Sequence, residues 1–180
     1  WSRLAQQYSA LSGVRHQTVE GKADIGTVFR LQALPGNAGA AQALVTALEG
    51  SAKPLLRTSG SSVAADDARG GFRSEVVIDE DTPWIVHPAK QARRDIDLRV
   101  LGAAQRGVRS AVICPSLIYG TGRGLGLLSV QLPFLAANAR ARGAVQIVGA
   151  GLNVWSNVHI DDLVALYVLA LLGAPAGAFY

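Results

Sequence analysis

The sequence predicts an α/β fold: a mostly parallel sheet with helices on both faces. Two observations carry this. Short apolar runs, Pro54-Leu55-Leu56-Arg57-Thr58 and Val108 to Ile113, alternate with helical patterns at Ala40 to Leu48 and Ala89 to Arg106. The intervals are short, and Gly50 and Gly107 punctuate the changes of pattern. Strands alternating with helices at such spacing pair in parallel, because each helix carries the chain back across a sheet face. A length of 180 residues suits one domain with a sizeable core.

Taken in order, Trp1, Leu4, Ala5, Tyr8 and Leu11 recur at helical spacing, and Ser12-Gly13 closes that run. Residues 14 to 33 include the strand-like Thr27-Val28-Phe29-Arg30-Leu31, but their flanks give no decisive period and no element is assigned. Pro35-Gly36 breaks the chain, Asn37 stands where a cap belongs, and an Ala-rich helix follows from Ala40 to Leu48. Pro54 to Thr58 forms a short buried strand that enters the hydroxyl-rich turn Ser59-Gly60-Ser61-Ser62. Ala64 to Gly71 reads as polar loop, and Asp79-Glu80-Asp81 before Pro83 as a solvated one. From Ala89 to Arg106, Ile96, Val100, Leu101 and Ala104 share a helix face, and Gly107 stops the helix. Gly124 to Arg142 contains a helix with Leu127, Leu128, Leu132 and Leu135, which Pro133 should kink or shift. Val145-Gln146-Ile147-Val148 is expected to be another strand, closed by Gly149-Ala150-Gly151. Asp161 or Asp162 is expected to cap a last helix running through Leu172.

Composition narrows the function classes. Aromatic residues make up 6%, too few for a platform that stacks single-stranded nucleic acid. The net charge of +4 comes from arginines that are scattered, so no nucleic-acid partner is expected. The single Cys114 excludes an intramolecular disulfide framework and suits a reducing compartment, which places the expected location in the cytoplasm. The apolar stretch from Leu163 to Gly173 is too short for a membrane span, so no membrane partner is expected. The chain has no Met and begins at Trp1, which suggests a piece of a longer protein.

In open parallel sheets, ligands bind outside the carboxyl ends of the strands. Two polar turns, Ser59 to Ser62 and Pro115 to Gly120, directly follow strands and should therefore share that rim. A small-molecule substrate is the partner such a rim takes.

These residues carry a resemblance. Thr58-Ser59-Gly60-Ser61 after a strand, the Asp79-Glu80-Asp81-Thr82-Pro83 loop, Cys114-Pro115-Ser116-Leu117-Ile118-Tyr119-Gly120 and Val158-His159-Ile160-Asp161-Asp162-Leu163 come in a familiar order. It is similar to that of extended short-chain dehydrogenases/reductases, in particular the NAD-dependent epimerase/dehydratase family, over roughly residues 37 to 180. The resemblance implies a single, partial Rossmann-like NAD(P)-binding domain over residues 1–180, with substrate-region elements near its carboxyl end. It also implies that the first strands and the Gly-rich pyrophosphate loop lie before Trp1, since no Gly-x-x-Gly-x-x-Gly turn opens a helix early in this sequence. The implied cofactor is NAD or NADP and the implied activity is hydride transfer at a hydroxyl or carbonyl carbon; the sequence leaves the oligomeric state open, a homodimer among the options.

In that family a Ser or Thr follows the central strand, and a Tyr and a Lys stand four residues apart on the next helix. The Lys lowers the phenol's pKa so that it works as acid and base near neutrality. Registered on Asp97-Leu98-Arg99-Val100-Leu101, the Tyr position falls on Ala89 and the Lys position on Arg93; a register on Lys90 puts Val86 at the Tyr position. Arg93 can hold a ribose or phosphate but does not titrate like Lys. Gly60 matches the Ser position, flanked by Ser59 and Ser61, so these two are the candidates for the substrate oxygen. His87, two residues before the Tyr position, is a candidate acid/base because imidazole titrates near neutrality. Thr58, Arg93, Pro115 and Ser116 are the candidate cofactor contacts. His159 reads as a structural residue beside a helix cap in preference to a metal ligand, and Cys114 as a buried, inert thiol. The absent Tyr also admits a non-catalytic Rossmann-like binding module.

Overall fold

The structure is a computed structural model that describes residues 14–17, 28–31, 38–122 and 129–180. The expected helix over Trp1 to Leu11, the Asn37 cap, and Leu127 and Leu128 lie outside these residues. The elements in order are β1 (Val14–Gln17), β2 (Val28–Leu31), α1 (Ala38–Leu48), β3 (Pro54–Thr58), α2 (Gln91–Gly102), β4 (Arg109–Ile113), β5 (Leu117–Tyr119), α3 (Gln131–Arg142), β6 (Asn157–His159), α4 (Ile160–Gly173) and β7 (Ala178–Phe179). Short 3-10 turns at Ser61–Val63, Pro88–Lys90 and Ala103–Arg106 complete them.

The architecture is Rossmann-like: parallel strands with helices packed on both faces. β3, β4 and β7 form a parallel sheet with β4 in the middle. Its register sets Pro54 against Arg109 and Thr58 against Ile113, while Val112 pairs with Phe179. β5 and β6 form a second parallel pair, Tyr119 opposite His159, and β1 and β2 an antiparallel one, Val14 opposite Leu31. The unassigned stretch between residues 14 and 33 thus holds two short strands.

Strand alternation divides the core in two. Leu55 and Val112 point to one face, where they meet Ala41, Leu44, Val45 and Leu48 of α1 and Ile96 and Val100 of α2. Leu56, Ala111 and Ile113 point to the other, against Leu163 and Ala170 of α4 and Ala174 beyond it. Because both faces are covered, β3 and β4 read as apolar runs without alternation. The four buried α1 positions are spaced i, i+3, i+4 and i+7, one stripe of a helix.

The sheet's amino-terminal edge is closed by two glycines that touch. Gly107 ends the α2 extension at φ 72°, and a Cβ there would stand 3.1 Å from the Gly50 Cα. Gly50 N donates to Arg106 O at 2.9 Å and Ala52 N to Gly107 O at 3.0 Å, so the ends of α1 and α2 are stitched together. Only glycine takes that left-handed conformation without steric cost.

Two expectations are corrected and one, the shift at Pro133, is met. Val145 to Val148 form no strand: Val145, Ile147 and Val148 are exposed, and Gly149 and Gly151, both at positive φ, turn the chain there. High strand propensity yields where no neighbouring edge offers a ladder. Pro133 shifts its helix: α3 begins at Gln131, which places the proline in the first turn, where a missing N–H costs nothing. The cap of α4 is His159, whose Nδ1 accepts from Asp161 N at 3.2 Å. Asp161 and Asp162 lie inside the first turn, favourably placed for the helix dipole.

Candidate functional site

The carboxyl ends of β3 and β4 are joined turn to turn. Ser59 N donates to Ile113 O at 2.7 Å, extending the ladder by one residue, and Ser61 N donates to Pro115 O at 3.2 Å. The two hydroxyl-bearing turns therefore share one rim. Gly60 is extended, φ −169°, a conformation open to any residue; what it supplies is space. Ser61 is exposed and Ser62 half-buried in the 3-10 turn that follows.

α2 reaches the rim from one side. Its approach is the 3-10 turn Pro88–Lys90, capped by His87, whose Nδ1 accepts from Ala89 N at 3.2 Å. With Nδ1 an acceptor, the neutral His87 ring carries its proton on Nε2. Further along, the Arg93 guanidinium donates through Nη1 to Ser62 Oγ at 2.9 Å.

Beneath the rim lies a buried network that the sequence did not suggest. Arg57 Nε donates to Asp97 Oδ1 at 2.6 Å, and Ser59 Oγ to Asp97 Oδ2 at 2.7 Å. The Arg57 and Asp97 side chains are both 0% exposed. Among the described residues, Arg57 Nη1 and Nη2 have no hydrogen-bond partner. The available signal was an arginine inside a strand otherwise buried on both faces, which requires an anion nearby.

The other face of the rim is closed by α4. Thr58 Oγ1 hydrogen-bonds the Tyr167 hydroxyl. Tyr119 and His159, opposite each other on β5 and β6, meet edge to face with centroids 5.2 Å apart. Pro115 and Ser116 are half-buried. Cys114, half-buried, has its thiol pushed up to about 11 by burial first and by the Asp97 charge second. The Gly60 N–H and the Ser59 hydroxyl oppose that shift in part. Such a thiol is protonated and unreactive at neutral pH.

The loop entering α2 is held by an aromatic stack. The Arg94 guanidinium lies 4.7 Å from the Trp84 ring centroid and 5.1 Å from that of Phe179 on β7. Trp84 Nε1 donates to Val63 O at 3.2 Å. Thus the candidates Thr58, Ser59, Ser61, Arg93 and Pro115 gather at one rim, while His87 stands at the start of α2. Among the described residues no group of three or more His, Cys, Asp or Glu is placed to hold a metal ion. No helix among them is long and apolar enough to cross a membrane.

Parallel strands with helices on both faces and a polar rim at the strands' carboxyl ends define a Rossmann-like α/β domain. The chain belongs to the NAD dependent epimerase/dehydratase family, whose profile matches residues 33–178. It is 28% identical over 140 residues to an uncharacterised protein of Schizosaccharomyces pombe, covering 77% of this chain and 43% of that one. Among solved structures, it resembles the dTDP-glucose 4,6-dehydratase of Bacillus anthracis in complex with NAD, with a TM-score of 0.57 and 21% identity, over 78% of this chain and 43% of that chain. It also resembles RMD of Pseudomonas aeruginosa complexed with NADPH, with a TM-score of 0.55 and 20% identity, over 80% of this chain and 50% of that chain. The chain thus spans about half the length, or less, of the proteins it matches.

Proposed function

We propose that this chain forms the nicotinamide-side wall of an NAD(P) site in a protein that transfers hydride at a hydroxyl or carbonyl carbon of a small molecule. The observation behind this reading is the joined rim of β3 and β4 with Arg93 bonded onto it through Ser62. Bound NAD(P) would supply or accept the hydride. A guanidinium at a strand-end rim fits a ribose or phosphate, whose oxygens it meets with two or more donors. The 3-10 turn that leads into α2 offers no phenol general acid, since Ala89 stands at the Tyr position.

The chain's own residues then divide the work. Ser61, exposed on the turn, offers its hydroxyl to the substrate oxygen, with Ser59 beneath it as the alternative. Arg93 and Thr58 hold the cofactor side of the rim, and Pro115 and Ser116 border the nicotinamide. His87 moves a proton at Nε2, because Nδ1 is occupied by the Ala89 N–H.

The test is a titration of NADH and NADPH fluorescence with the full-length parent protein that carries this chain, followed by a turnover screen against aldehydes, ketones and nucleotide sugars. Saturable binding supports the cofactor reading, and a flat titration overturns it. The second reading, a non-catalytic binding module, is favoured by Ala89 in place of the phenol. Binding without turnover selects it. Turnover that disappears in Ser61→Ala or His87→Ala rules it out.

A further inference from the structure

We propose that Asp97 is a positioning residue that fixes both the β3 exit turn and Arg93, an inference that rests on the reading of this rim as a cofactor wall. Residues 57 and 59 lie on the same face of β3 and its extension, and one carboxylate takes both: Oδ1 the Arg57 Nε, Oδ2 the Ser59 hydroxyl. The strand is thereby held in line through its last residue, which determines where Gly60 to Ser62 emerge. Arg93 stands four residues before Asp97, so the two share a face of α2 one turn apart. The helix grips the strand exit at two levels: Asp97 at residues 57 and 59, Arg93 at Ser62.

The lower grip sets the register of the upper one. A displacement of α2 along β3 that moved Arg93 would have to break two short buried bonds. Burial makes this grip directional: a buried ion pair is a weak source of net stability, because desolvating two charges offsets their attraction. What such a pair supplies is a fixed geometry. The Arg57 guanidinium reinforces this, since among the described residues its Nη1 and Nη2 have no partner and its Nε bonds to Asp97.

The chain contains its own reporter, its single cysteine. Cys114 borders Gly60 and Ser59, so its reaction with a soluble disulfide reagent reads the opening of the turn without any cofactor. Three variants separate positioning from stability: Ser59→Ala, Asp97→Asn, and the double Arg57→Leu/Asp97→Leu. In Ser59→Ala the midpoint of the thiol's pH–rate profile should move up, because a donor to the thiolate is gone, while the rate corrected for the ionised fraction should rise about tenfold, the factor expected for losing one hydrogen bond to a charged acceptor. In Asp97→Asn its pH–rate profile should move to lower pH, because a negative charge beside the thiolate is gone. The double variant, folded by circular dichroism, should show the faster thiol and an NAD(P)H dissociation constant raised about tenfold.

Wild-type thiol kinetics in folded Ser59→Ala and Asp97→Asn would overturn the proposal. If the wild type shows no saturable NAD(P)H signal while the thiol is released in these variants, the turn is positioned as argued and the cofactor reading fails instead. If the double variant does not fold, Ser59→Ala decides, since it leaves the Arg57–Asp97 pair intact.

Discussion

Gly60 and Arg93 meet so closely that a side chain at residue 60 would compete with the guanidinium: a Cβ built there stands 3.2 Å from Nη1. The extended backbone at Gly60 accepts any residue, so a substitution would act on Arg93 and leave the strand end unstrained. Gly60→Ser should displace the guanidinium from Ser62. We expect a weaker NAD(P)H titration by about three- to tenfold, with a melting temperature close to wild type, as one surface-proximal hydrogen bond is worth ~1 kcal/mol. A large loss of melting temperature with unchanged binding would contradict this.

Removing one partner of the buried pair should be far costlier than removing both. Asp97→Ala leaves Arg57 charged and unpaired in the core, and should lower the unfolding free energy by about 3–5 kcal/mol in urea titrations. Arg57→Leu/Asp97→Leu should fall within about 1–2 kcal/mol of wild type, because well-packed apolar replacements often match a buried pair. Equal losses in the two variants would show that packing at these positions, not charge, sets the cost.

The amino-terminal edge makes a separate prediction. Gly107→Ala places a Cβ in the left-handed region at a point 3.1 Å from Gly50 Cα, and should destabilise the fold by about 1–2 kcal/mol. Since the edge is remote from the rim, thiol reactivity and cofactor titration should be unaffected once the folded fraction is accounted for.

Cys114 supplies a pH prediction. Its thiol is raised from an ordinary value of 9.0 to about 11, so between these limits the folded chain retains a proton that the unfolded chain gives up. Stability from this group is therefore full below about pH 9 and declines as pH rises toward 11. Cys114→Ser should flatten that decline in unfolding measurements between pH 8.5 and 11. An unchanged slope would place its origin elsewhere.

Much of the fold was legible because burial on both faces leaves a plain signature. Leu55-Leu56 and Ala111-Val112-Ile113 are apolar without interruption, and Ala41, Leu44, Val45 and Leu48 mark one helix stripe. β5 and β6, three residues each, were too short to stand apart from their turns. Val145 to Val148 misled because propensity is local and a strand is a pairing. At the site, the rim was legible from the turns that close β3 and β4. Arg57 and Asp97 were not, since the bond between them spans 40 residues and exists only once α2 has packed on β3. In the sequence Asp97 marks only the register of the helix; in the structure it bonds both Arg57 and Ser59 beneath the turn.

The Trp84–Arg94–Phe179 stack joins the loop before α2 to the final strand, and so connects positions separated by half of the chain. Loop closure on that scale is entropically expensive, and contacts of such separation form after the local ones. The stack should therefore assemble late in folding, once β3, α2 and β4 are in place. It also makes the indole an optical witness to β7: the Trp84 emission should change at the step where the last strand docks.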